Sequence, residues 1–220
     1  MGRKTAKSLE KQSRLKQQKK QLAKARETVK KANMLVDPLL DFPAFVNFTR
    51  NGLDIELECK RVQQLSSEMV QWLMLLMETN MKVLYNQCNW GWDEVKKRNE
   101  MTEDAAWYLI AYLKDGHVPV GFSHFRFDMD FDDAVLYVYE LQLDCTVQRK
   151  GLGKFMSQVL ELIAFKNNMQ KVMMTVFKHN PPALSFYRSM NYTLDETSPE
   201  DNFEAQYCYY IFSKLNKNIK

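Results

Sequence analysis

Apolar residues recur along this chain with two periods, and the switches between them outline the fold. LDIELEC (Leu53 to Cys59) alternates apolar and polar side chains as a strand does, and Asn51-Gly52 before it reads as its turn. Met69, Trp72, Leu73, Leu76, Met77 and Met81 return at helical spacing behind Ser66 and Ser67, which can cap a long helix running to about Asn86. A Met and Leu stripe of this kind is a core face. DEVKKRNEM, after Trp90-Gly91-Trp92, reads as a short charged helix. Three strands follow in close succession: AWYLIAYL (Ala106 to Leu113) up to an Asp115-Gly116 turn, PVGFSHFRFDM (Pro119 to Met129) up to Asp132-Asp133, and AVLYVYELQLD (Ala134 to Asp144). Their short connections predict an antiparallel meander.

The period then changes. Leu152, Phe155, Met156, Val159, Leu160 and Ile163 fall on one face of an amphipathic helix. KVMMTVF (Lys171 to Phe177) is continuously apolar, as in a buried strand, and PPALSFYRSM is a short helix with proline in its first turn. YTLDE and YCYYIFSKL close the chain as two more strands. A meander followed by strand, helix, strand and helix is an α+β domain whose mixed, mostly antiparallel sheet is flanked by helices. Residues 8–35 contain no Gly or Pro and carry only a sparse apolar stripe (Leu9, Leu15, Leu22, Ala25, Val29), which predicts a polar helix. The chain therefore divides into a basic helical N-terminal segment, residues 1–35, and a domain over residues 36–220.

Charge separates the two parts further. Residues 1–31 hold twelve Lys or Arg against Glu10 and Glu27, a surplus of ten, while the whole chain carries only +4. The remainder, with 19 basic and 25 acidic side chains, stands at −6 and suits a cationic substrate better than a nucleic acid. The tail is either a solvated helix or a polybasic contact for ribosomal or other nucleic acid or an anionic membrane. MGRKTA approaches an N-myristoylation signal, with Ala6 where Ser or Thr is wanted. The longest apolar run is too short for a transmembrane segment, and no apolar segment follows the basic N-terminus as in a secretory signal. Cys59, Cys88, Cys145 and Cys208 form no CxxC pair, and His117, His124 and His179 are scattered. That pattern predicts reduced thiols, no metal site and a location in cytoplasm and nucleus.

One stretch carries candidate chemistry. QRKGLGK (Gln148 to Lys154) lies at a strand-to-helix junction. It lacks the spacing of a P-loop and the third glycine of a dinucleotide fingerprint. What remains is a helix start whose missing Cβ atoms let an anion approach free backbone N–H groups, with Arg149, Lys150 and Lys154 adding charge. Spacing alone leaves this reading level with that of a glycine-rich helix start bearing a solvated basic rim.

The order of elements around Gln148-x-x-Gly151-x-Gly153 resembles the acetyl-coenzyme A signature of the GNAT acetyltransferase superfamily. The blocks RNGLDIELECKRV, YNQCNWGW, MTEDAAWYLIAY, FSHFRFD, YVYELQL, QRKGLGKF and KVMMTVFKHN are similar, more narrowly, to the N-alpha-acetyltransferase D family, over roughly residues 1–177. Beyond Asn180 the match is looser, and the family's C-terminal stretch is shortened. The resemblance implies a GNAT fold, acetyl-CoA as cosubstrate without a metal, and histone H-four and H-two-A tails beginning Ser-Gly-Arg-Gly as partners.

Acetyl transfer needs the lone pair of an amine whose pKa is about 8, so a weak base, acting directly or through water, suffices. Glu140 lies inside an otherwise apolar strand; alternation permits a solvent-facing residue, whereas the resemblance makes it the catalytic glutamate, with Tyr139 and Tyr209 as further catalytic candidates. Tyr209 matches an aromatic peptide-binding position and could equally protonate the departing thiolate. Tyr85, Trp90, Tyr139 and Thr175 match the same peptide-binding wall. Asp128 and Asp130, with Met129 between them, match substrate positions where carboxylates can grip an arginine; they read otherwise as surface turn acids. Asp130 is one methylene shorter than the family's usual glutamate. For the coenzyme, the backbone of Leu141, Gln142 and Leu143 would pair with the pantetheine arm, and Arg149, Lys150, Gly151, Leu152, Gly153 and Lys154 would hold the pyrophosphate. Asn180 matches a coenzyme contact and also suits a helix N-cap. His124 and His179 read as structural, and direct transfer is preferred to an acyl-enzyme. Two alternatives remain: a GNAT enzyme acting on a lysine or small amine, and a nucleic-acid or ribosome-binding module built on the tail.

Overall fold

The computed structural model describes residues 6–219; the myristoylation-like start at Gly2 lies outside them. Helix α1 (Ala6–Ala32) is long because nothing in it breaks a helix. Its turns over residues 11–24 are exposed apart from Leu22, and its last turns meet the sheet through Ala25, Val29 and fully buried Ala32. Asn33 then pins the exit: its amide donates to the Phe127 carbonyl at 2.9 Å, and its own carbonyl accepts from Arg61, whose guanidinium covers the Trp107 ring.

Eight strands form one sheet in the order β1-β2-β3-β4-β5-β6-β8-β7. β1 (Asn47–Arg50) and β2 (Leu53–Arg61) make a hairpin over Asn51-Gly52, where both residues have positive φ (53° and 74°), as the turn that matches strand twist requires. β1 is an addition to the sequence-based reading; four residues with only Phe48 buried leave no periodicity to detect. β3 (Trp107–Leu113), β4 (Val118–Asp130) and β5 (Asp133–Leu143) continue the meander. β6 (Lys171–Phe177) runs parallel to β5, and β8 (Tyr209–Leu215) lies antiparallel between β6 and the two-residue β7 (Thr193–Leu194). The expected strand Tyr192 to Glu196 is cut short because Asp195 turns inward, where it binds Lys171 and the N–H and hydroxyl of Thr197.

Helices cover both faces, which is why β3 is apolar throughout. One face packs Trp107, Leu109, Phe125, Phe127, Leu136 and Val138 against α4 (Leu152–Lys166) and α5 (Pro181–Ser189). The other packs Tyr108, Ile110, Tyr112 and Phe122 against α2 (Ser67–Asn86) and α3 (Glu94–Met101). Ser66 accepts from the Met69 amide and Asp93 from the Lys96 amide, so both helices start on side-chain caps. Truncating a fully buried residue such as Met77 in this second layer would cost about 2–5 kcal/mol.

Candidate active site

The site begins with a fault in the sheet. β5 and β6 pair only from Val135–Lys171 to Val138–Met174, although β5 continues to Leu143 and β6 to Phe177. The register between β4 and β5 slips at the same level: His124 faces Glu140 and Phe125 faces Val138, so Tyr139 has no partner. A bulge bends a strand and re-aims its side chains. Here it turns Glu140 and Gln142 towards α2 and α3 while Leu141 and Leu143 pack with the opposite layer. The parted strands open into a cleft of about 880 Å³, reaching from Gly151 and Gly153 at the start of α4 to Trp90 at the end of α2.

At the α4 end, Gly151 has φ 90°, a value that glycine adopts without steric cost. A Cβ on Gly153 would touch Leu143 at 3.4 Å and Phe186 at 3.7 Å. The first helical hydrogen bond is Phe155 N–H to Gly151 O, so the amides of Leu152, Gly153 and Lys154 precede it and are free of the helix ladder. The unpaired edge of β5 leads to this cradle, and the Leu143 carbonyl at its end accepts from Asn80 and Gln148. Gln148 thus braces the strand end. An anionic group on the cradle with an extended polar arm along β5 fits these donors and acceptors.

Glu140 forms the floor. Only 6% exposed, it accepts from Lys97 Nζ at 3.1 Å through one carboxylate oxygen and from the Gln142 amide at 2.9 Å through the other. Gln142 is held in turn by Asn80 at 3.1 Å. Burial raises the Glu140 pKa above the usual carboxylate value, and Lys97 and Gln142 offset part of that rise. Lys97 is itself buried, yet Glu140, Tyr85 and Glu100 outweigh the loss of water and hold its ammonium above its usual pKa. His124 lies stacked between Tyr108 and Tyr139, and burial, with Arg126 and Lys97 nearby, drives its pKa well down, so its ring is neutral.

Around the mouth, Tyr85, Trp90, Phe177 and Tyr209 form an aromatic wall with ring centres 5.0–6.1 Å apart, and Trp90 is 45% exposed. The Tyr137 hydroxyl and Thr175 Oγ1 lie 2.6 Å apart; burial, with Asp130 and Tyr209 adding to it, pushes that phenol up to about 12. Asp128 is exposed near Tyr139, whose ring carries the Arg126 guanidinium at 4.2 Å. Arg126 bonds to Glu103 and to the Glu100 carbonyl, which ties the end of α3 to β4.

Most of the candidates read from sequence therefore meet in one cleft: Tyr85, Trp90, Tyr139, Glu140, Leu141, Gln142 and Leu143 from one side, Arg149, Gly151, Gly153, Lys154, Thr175 and Asn180 from the other. Asn180 also caps α5 by accepting from the Ala183 amide at 3.3 Å. Five sit differently. The Leu152 side chain is wholly buried in the core and offers only its amide, and the Lys150 carbonyl is taken by Asn51 at 2.8 Å. Asp128 and Met129 lie outside the cleft lining, as does Asp130, which is engaged by Lys171 at 3.3 Å. Tyr209 borders the cleft through its contact with Trp90. Sequence reasoning passed over Lys97, Glu100, Asn80 and Tyr137. Asn80 left a trace, as a polar residue one turn beyond Leu76 and Met77 on an apolar helix face. Lys97 shares its face with buried Met101, four residues on, but α3 is too charged for that face to stand out.

Comparison with known proteins agrees with this architecture. The sequence model described as Acetyltransferase (GNAT) family matches residues 68–192, more than half of the chain, and the chain belongs to that family. Its fold resembles an acetyltransferase from Streptococcus agalactiae (12% identity, 72% of this chain and 98% of that one, TM-score 0.56). It also resembles the PaiA N-acetyltransferase of Thermoplasma acidophilum in complex with coenzyme A (16%, 73% and 99%, 0.52). A third similar fold is Arabidopsis thaliana NAA60 in complex with a bisubstrate analogue (14%, 72% and 97%, 0.50). The chain is accordingly a GNAT-type acetyl-CoA acetyltransferase.

Proposed function

We propose that this enzyme acetylates the N-terminal α-amine of histone H-four and H-two-A tails beginning Ser-Gly-Arg-Gly, with Glu140 as the general base. The observation that carries the reading is the placement of Glu140: a buried carboxylate at a strand bulge, on the floor of a cleft that joins an anion cradle to an aromatic wall. PaiA, solved with coenzyme A, and NAA60, solved with a bisubstrate analogue, share this fold, which supports a coenzyme A donor for this chain. The coenzyme supplies an activated acetyl thioester. The chain supplies the rest. The cradle amides and the basic residues Arg149 and Lys154 hold the pyrophosphate, and the free edge of β5 aligns the arm. Glu140 accepts the proton of the incoming ammonium, so that the amine lone pair can attack the thioester carbonyl. The C–S bond then breaks; Tyr209 is the candidate donor of a proton to the thiolate, and the second amine proton, released as the amide forms, restores its phenol. Exposed Asp128, near Tyr139, favours a cationic third residue, while Asp130 shares its charge with Lys171. The test uses acetyl-CoA and a Ser-Gly-Arg-Gly peptide, with its N-terminally blocked, lysine-containing twin alongside. Acetylation of the free peptide alone, reduced about 100-fold or more in Glu140→Gln, is expected. Acetylation of the blocked twin alone would replace the reading with a lysine acetyltransferase, and full activity in Glu140→Gln would remove the base.

A further inference from the structure

We infer that Lys97 is a positioning residue for the transfer reaction, holding Glu140 ionised and fixed in aim at the floor of the cleft. The inference rests on the assignment of Glu140 as base and adds the group on which that base depends. Three observations carry it. Lys97 is a lysine only 7% exposed, and its ammonium lies 3.1 Å from Glu140 and 2.7 Å from Glu100 while covering the Tyr85 ring at 5.0 Å. An ammonium so placed cancels charge that burial would otherwise penalise. Next, its backbone is clamped at both ends of α3, by the Asp93 cap at the start and by Arg126, bound to the Glu100 carbonyl and to Glu103, at the end. Last, among the described residues Glu140 has a single cationic hydrogen-bond partner, because its second oxygen meets the neutral amide of Gln142.

The groups that face Glu140 come from every element packed around it. They are Tyr85 of α2, Lys97 and Glu100 of α3, Tyr108 of β3, His124 of β4, Gln142 of β5 and Tyr187 of α5, with Asn80 behind Gln142, and Arg126 and Tyr139 against His124. Burial raises the tyrosines above their usual pKa, and the same burial, with two cations beside it, keeps His124 neutral. Lys97 is the cation bonded to the carboxylate that serves as base.

A tether that merely fixed α3 to the sheet would lower activity equally at every pH. A positioning role moves the acid limb of the pH–rate profile. Initial rates with acetyl-CoA and the Ser-Gly-Arg-Gly peptide, measured against pH for the full chain, separate the two. Lys97→Gln keeps a hydrogen bond but drops the charge, and the acid limb of kcat/KM should rise by about one pH unit or more. Lys97→Arg keeps the charge and should leave the limb within about 0.3 units of wild type. A uniform loss with an unmoved limb in Lys97→Gln overturns the inference. So does a limb in Lys97→Arg displaced as far as one unit, a result that remains readable if Lys97→Gln fails to fold. Glu140→Gln keeps the two readings apart. If it is fully active the base assignment itself fails, whereas an impaired Glu140→Gln beside an unmoved Lys97→Gln limb removes Lys97 alone.

Discussion

Asp195→Asn offers a quantitative test of how the far edge of the sheet is held behind Tyr209. Asp195 follows β7 and receives Lys171 Nζ at 3.0 and 3.1 Å, the Thr197 amide at 3.0 Å and the Thr197 hydroxyl at 2.7 Å. Burial by itself would raise its pKa; hydrogen bonds from Ser213, Thr197 and Lys171 prevail and bring it from 3.8 down to about 2. At about 1.36 kcal/mol per pH unit that difference is worth about 2 kcal/mol of folding stability. The folded pKa lies below the unfolded one, so the contribution is complete well above the ordinary 3.8 and is lost as pH falls towards 2. Asparagine stands in for the protonated acid. Urea unfolding followed by circular dichroism should place the variant about 2 kcal/mol below wild type at pH 7, and the gap should narrow to about 1 kcal/mol at pH 3. A gap below about 0.5 kcal/mol at pH 7, or one that does not change between the two pH values, would refute the reasoning.

Two further substitutions probe the cleft from opposite ends. A Cβ on Gly121 in β4 would stand 2.4 Å from Leu143 Cδ2 and 3.1 Å from the Gln142 carbonyl. Gly121→Ala should therefore displace the end of β5, costing about 1–3 kcal/mol of stability and raising KM for acetyl-CoA more than KM for peptide, as paired unfolding and steady-state assays would show. Trp90→Ala removes a half-exposed ring that touches Tyr85, Phe177 and Tyr209. It should raise peptide KM about 10-fold while leaving KM for acetyl-CoA near wild type, and a change confined to the coenzyme would contradict the wall's role.

How far the sequence anticipated this molecule depends on where each signal is stored. Strong periodicity located α2, α4 and the meander, because one buried face imposes one period. The glycine-rich start of α4 was legible for a similar reason, since Gly151 and Gly153 are chemically distinct at a strand-to-helix junction, though spacing alone left its anion-binding role open. β1 left no period because only Phe48 of its four residues is buried. The bulge at Tyr139 left none either: YVYEL alternates without a break, and only the slipped register against His124 and Phe125 reveals why Glu140 turns towards α3. Lys97 was hidden by its own type, for a lysine on a charged helix reads as solvated until the structure buries it against a carboxylate. Asp130 shows the converse. The resemblance put it at a substrate position and the residues alone made it a surface turn acid, whereas in the fold Lys171 already neutralises part of its charge.

The position of the transferred acetyl group tests the central claim most directly. A peptide beginning Ser-Gly-Arg-Gly and carrying an internal lysine offers both amines at once to the full chain and acetyl-CoA, and tandem mass spectrometry of the product locates the added group. Acetyl on the α-amine, with the lysine unmodified, is the expected result. Acetyl on the lysine with a free N-terminus would contradict it.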